Sequence, residues 1–104
     1  MAEGPYKDTS IEAQQKRVQA VQERNVRIRR RHKEHTKAIY HRAGRRLWVA
    51  AVNRAYRGIA ALQGAQASKD FDKWIEAQHV DIDAEYWAEI ERLNEAYPDL
   101  KALF

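Results

Sequence analysis

The 104-residue chain has no cysteine and very little that obliges the backbone to turn. Without thiols there are no structural disulfides and no thiolate metal sites, a usage that fits an intracellular, cytoplasmic location. The two prolines, Pro5 and Pro98, stand near the ends, so nothing between them must break a helix. No stretch approaches the roughly 18 apolar residues of a membrane span. The first ten residues contain no apolar run of the signal-peptide kind. Strand-like alternation, repeats and low-complexity tracts are missing. So are a glycine-rich phosphate loop, a serine prepared as a nucleophile and a general acid/base pair, and neither enzymatic activity nor a cofactor is expected.

What the chain has is charge, unevenly placed. Fourteen of its nineteen basic residues fall between Lys16 and Arg57, opposed there only by Glu23 and Glu34. Residues 58–104 carry four basic and ten acidic residues, so a net charge of +4 hides a cationic first half and an anionic second half. Segregation of this kind points to a polyanion partner, or to the acidic half serving as that partner. Arginine outnumbers lysine, twelve to seven, and its planar fork suits phosphate and carboxylate. The same bias also follows from a GC-rich coding sequence.

Charged residues make up 33% and hydrophobic residues 44%, a balance that favours ordered helices over disorder. Residues 1–9 read as a flexible leader. Thr9 or Ser10 can cap a helix, with Glu12 in the capping-box position after Thr9. Written as heptads, one line holds Ile11, Val18, Asn25, His32 and Ile39, and another holds Gln14, Val21, Ile28, His35 and Arg42. That is a coiled-coil-like seam that fades after Ile28. A second apolar stripe, Tyr40, Ala43, Leu47, Ala51, Ala55, Ile59 and Leu62, flanked by Trp48 and Val52, occupies different heptad positions. Either the buried face rotates or the helix breaks, and Gly44 is the natural place. One long bent helix is the alternative. This second stripe is expected to be the centre of the core, with Tyr40 and Trp48 inside it.

Gly64 to Ser68 reads as a connector. A short segment from Phe71 to Ala77 follows, Val80–Asp81–Ile82–Asp83 interrupts it, and Asp83 caps a last helix. That helix carries Ile82, Tyr86, Ile90, Leu93 and Tyr97 on one face and ends at Pro98. The tail, residues 99–104, is apolar enough to dock. The expectation is all-α: a small helical bundle or bent helical hairpin with a long basic N-terminal helix and a shorter acidic C-terminal segment. Its helices would lie at about 10–43, 45–63, 70–79 and 83–97 within a single domain, residues 10–104.

On a helix, Arg17, Arg24, Arg31 and Arg45 share one heptad position, and Lys16, Arg30 and Lys37 share the next. The resulting stripe can lie along a phosphate backbone without reading sequence. The candidate binding residues are Arg24, Arg27, Arg30, Arg31, Lys37, Arg45 and Arg46. The expected function is a non-catalytic, nucleic-acid-associated protein, its partner DNA or RNA. The alternative is a small accessory or inhibitor protein docking on an acidic protein surface, of the sort found in phages, mobile elements or larger assemblies. The competing internal partners are Asp81, Asp83, Glu85, Glu89, Glu91 and Glu95. Tyr86 and Trp87 are adjacent, so one of them faces outward, and with Trp74 they are candidates for protein contact. The Ile11–Ile28 seam also admits a homo-oligomer. His32 and His35 share a helical face, but the arginines around them disfavour a metal ion.

Overall fold

The computed structural model describes residues 10–104; the expected leader lies outside them, as does Thr9. Two helices form an antiparallel hairpin. The first, α1 (Ile11–Leu62), is 52 residues long, and the second, α2 (Ala65–Ala96), is 32. A 3-10 helix, Pro98–Leu103, folds back at the end. The molecule measures 89 × 18 × 15 Å, with a radius of gyration of 24.9 Å. A compact chain of this length would have about half that radius.

Ser10 caps α1: its Oγ accepts the Ala13 backbone N–H at 3.2 Å. The helix then runs without a break through Gly44. A glycine within a helix costs only about 1 kcal/mol relative to alanine, and Gly44 lies on an open face where no other group comes near its Cα. The expected break there does not occur; the single long helix does. At the far end the Gln63 N–H bonds to the Ile59 and Ala60 carbonyls. Gly64 adopts φ 117°, a conformation that L side chains rarely take, and the chain reverses within two residues. The connector is therefore shorter than Gly64–Ser68.

The second expected break, at Val80–Asp83, is also absent, and α2 is continuous through it. Asp83 favours a cap in isolation, but here its carboxylate accepts from Arg46 of α1 at 2.7 Å. Ile82 beside it is buried in the helix pair. Tyr97, at φ −130° and ψ 63°, ends α2 just before Pro98. The tail docks as expected, with Leu100 wholly buried.

The core is small: Val49 of α1 with Ile82, Tyr86, Leu93 and Leu100. The expected stripe of α2 is thus its buried face. The stripe expected to centre the core on α1 is not. Tyr40 and Leu47 are each 72% exposed and Leu62 is 90% exposed. Ala43, Ala51, Ala55, Trp48 and Ile59 are exposed as well. The face that α1 turns inward instead carries Arg31, His35, Ala38, Arg42, Arg45, Val49 and Val52. Aromatic rings of α2 and the tail make this workable, because a guanidinium stacks on a ring while its aliphatic stem covers apolar surface. Arg42 lies 3.6 Å from the Tyr86 ring centroid, Arg31 4.2 Å from that of Phe104, and Arg57 5.5 Å from that of Phe71.

The last polar and ring contacts joining the two arms are those of Arg27, to Asp99 at 2.6 Å and over Tyr97 at 5.6 Å. The turns of α1 before it, from Ile11 to Val26, project past the hairpin for roughly 24 Å. Ile11, Val18 and Val21, the expected seam, are exposed there.

Candidate functional site

The acids of α2 and the tail decide which cations remain available. Four arginines of α1 form cross-arm ion pairs: Arg27 with Asp99, Arg45 with Glu85, Arg46 with Asp83 and Arg57 with Asp72. His41 stands 3.9 Å from the same Glu85 carboxylate. Of the six acids expected as internal partners, only Asp83 and Glu85 meet arginines of α1. Glu89 binds Arg92 on its own helix, and that hydrogen bond holds its carboxyl below the usual range. Asp81, Glu91 and Glu95 are exposed and form no ion pair among the described residues.

Two further arginines are used by the fold. Arg31 is 1% exposed. Its Nη1 donates to His35 Nδ1 at 2.9 Å and its Nη2 to Asn94 Oδ1 at 3.1 Å, while its Nε has no partner. Because a guanidinium only donates, His35 accepts at Nδ1 and carries its proton on Nε2, 3.2 Å from Tyr86 Oη. Burial of the ring, then the charges of Arg31, His32 and Arg42, push the His35 pKa down. Arg42 covers Tyr86. His32 is exposed, so the two histidines do not converge. Among the described residues no group of three metal-ligating side chains comes together.

A cleft of about 360 Å³ lies between the arms, lined by Lys37, Arg42 and Arg45 on one wall and by Glu85, Tyr86 and Glu89 on the other. Charges of both signs line it, which leaves it without a strong preference for an anion.

Ten cations stay exposed and without an ion pair among the described residues: Lys16, Arg24, Arg29, Arg30, Lys33, Lys37 and Arg54 on α1, and Lys69, Lys73 and Lys101 beyond it. Arg29, Lys33 and Lys37 follow each other at four-residue intervals, and Arg30 flanks Lys33, so these four form one patch about 12 Å long. Helical spacing turns Arg29 and Lys33 away from the face that carries Arg31, Ala38 and Val49 into the core. Of the seven candidates named from sequence, Arg24, Arg30 and Lys37 belong to this set. Arg27, Arg45 and Arg46 are held in ion pairs and Arg31 is buried. Arg29 and Lys33 are not among those seven, although their i, i+4 spacing to Lys37 is legible in the sequence.

The aromatic candidates also divide. Tyr86 is in the core and Trp87, packed edge-on against it, is exposed. Trp74 sits at the margin, stacked on Phe71 and edge-on to Trp48. Fold and face together define a basic helical hairpin: an arginine-zipped pair of arms with an unneutralised patch on the outside of the longer one. Comparison with protein-family models, curated proteins and solved structures gave no match. No helix among the described residues is long and apolar enough to cross a membrane.

Proposed function

We propose that the protein is a non-catalytic binder of nucleic-acid backbone, and that the outer patch of Arg29, Arg30, Lys33 and Lys37 holds the phosphates. One observation supports this most. The chain's own acids reach the inward arginines and leave these four cations unpaired and exposed. A rigid helix carrying cations at i and i+4 sets charges about 6 Å apart along a line, near the spacing of phosphates on one strand. Contacts of this kind position a protein without specifying a sequence. Four phosphate contacts predict a slope of log K against log salt of about −3 to −4.

The test is binding to a generic DNA duplex and to single-stranded RNA at two salt concentrations, 50 and 200 mM being a suitable pair. The wild type is expected to lose roughly 10²-fold in affinity between them. Changing Arg30 and Lys33 to Glu should abolish the binding, while the neutral pair Arg30→Gln and Lys33→Gln should flatten the slope by about two. A wild-type protein that binds neither polymer at the lower salt eliminates this reading. An acidic protein surface would then be the partner to seek.

A further inference from the structure

Gly44 has no packing reason to be glycine. Its backbone is helical without a positive φ, and a Cβ added there would meet nothing within 4 Å. What the missing side chain leaves is a gap between two rings. Tyr40 stands one turn before it and Trp48 one turn after, and with His41 and Arg45 they line an open groove of about 410 Å³. Gly58 is equally open, but Arg54 and Leu62 stand in the corresponding places, so no ring gap forms there.

The groove continues the cationic patch. Arg29, Lys33, Lys37, Tyr40, Gly44 and Trp48 follow one another at intervals of four, four, three, four and four, the spacing of neighbours along one face of a helix. That line is about 29 Å long. α1 has no acidic residue after Glu34, and Glu34 itself is turned to Tyr97 and Arg92. Farther along, Arg54 is exposed and outside every ion pair of the described residues. Cations, then two rings, without a carboxylate, suit an anion that also offers flat apolar surface.

We infer that this face takes single-stranded nucleic acid, with phosphates along Arg29, Lys33 and Lys37 and unpaired bases against Tyr40 and Trp48 across Gly44. The inference rests on the backbone-binding reading and adds the state of the strand to it. In a duplex each base is covered by its neighbours, whereas a single strand leaves base faces free to stack on aromatic side chains. The spacing fits two bases. Eight residues set Tyr40 and Trp48 about 12 Å apart, and helical side chains lean the same way. Two bases stacked between two rings at ~3.4 Å steps span about 10 Å. Tyr40 is exposed and its ring has room to turn toward the gap. Trp48 is half exposed and held from the α2 side by Trp74, edge-on at 6.0 Å. Arg45, beside the groove, holds Glu85 of α2 in an ion pair.

The full chain is titrated with four probes of equal length: a mixed-sequence DNA single strand, the same strand made abasic, the duplex, and poly-glutamate. The single strand should bind at least about tenfold more tightly than the abasic strand, since each stacked base is worth about that much. Tyr40→Ala should remove roughly 5- to 150-fold of single-strand affinity and leave abasic affinity within about threefold. Gly44→Leu should do the same by filling the gap, and its helix should be at least as stable, because leucine is the better helix former and its Cβ has open space. Equal binding of the single and abasic strands overturns this inference and leaves the backbone reading standing. Poly-glutamate bound as tightly as the single strand overturns it too, as does full single-strand affinity in both variants. Failure to bind any nucleic-acid probe removes the backbone reading itself, and this inference with it.

Discussion

The two faces of α1 exchange the roles their residues suggest. The inward face is rich in arginine, yet it is the one buried, with Arg31 at 1% exposure and Arg42 against Tyr86. The outward face carries Tyr40, Leu47 and Leu62, yet it is open. The partner explains the exchange. The stripe of α2 and its tail is aromatic as much as aliphatic, and its margins carry Asp72, Asp83, Glu85 and Asp99. Rings accept guanidinium groups on their faces, and the flanking carboxylates pair with the arginine tips. An all-aliphatic arm would have selected the other face. Hydrophobicity alone does not say which side of a helix goes inside; the surface presented by the other arm does.

The contrast breaks most sharply at the core. Leu93 is fully buried, so Leu93→Ala should cost about 2–5 kcal/mol in urea unfolding. Leu47→Ala, at 72% exposure, should stay within about 0.5 kcal/mol for the hairpin. Equal losses would mean that the faces are assigned the wrong way round.

The second contrast is between cations. Arg30 and Lys33 should govern polyanion binding, as set out above. Arg45→Gln, which removes an arginine paired with Glu85, should leave affinity within about threefold of wild type and cost no more than about 1 kcal/mol of stability. Should Arg45 matter as much as Lys33, the ion pairs must open on binding, and the functional face must be the inward one.

How far the sequence discloses this molecule depends on the scale of the question. The all-α class follows from the absence of proline between Pro5 and Pro98, and the reversal follows from Gly64. The stripe Ile82–Tyr86–Leu93 is legible because its spacing is purely helical and its end is marked by Pro98. The continuity of α1 at Gly44 and of α2 at Asp81–Asp83 is not, because glycine and aspartate report local preferences of about 1 kcal/mol that a packed partner overrides. The pairing of individual arginines is less legible still. Arg27 and Arg30 look alike in the chain, and what separates them is whether Asp99, 72 residues further on, arrives beside one of them.

Gly64 permits a smaller test. Its φ of 117° lies where a Cβ is strained, and no other group crowds the position. Gly64→Ala should therefore cost about 1–3 kcal/mol from backbone strain alone, measured by thermal unfolding. A loss beyond that range would show that the turn is also packed against something.

The shallowest expected effect is on pH dependence, and it reports on the inward face alone. His35 is held neutral: its Nδ1 accepts from Arg31 and its Nε2 faces the Tyr86 hydroxyl, while Asn94 and the Phe104 ring close the far side and Arg42 and His32 add positive charge. Its folded pKa lies below its unfolded value. As pH falls through the ordinary imidazole value of about 6.5, the unfolded chain takes up a proton that the folded chain refuses. The unfolded state then binds more protons, so this contribution to stability, complete above that pH, declines below it. Urea midpoints at about pH 7.5 and 5.5 should differ in that direction for wild type, and His35→Gln should reduce the difference. Glutamine can still accept from Arg31, so the mean stability should change little while the slope shrinks. An unchanged slope in that variant would mean that protonated His35 is tolerated between Arg31 and Tyr86, which only an open arm could allow. The inward face would then be as wet as the outward one, and the distinction between the two sides of α1 would fail.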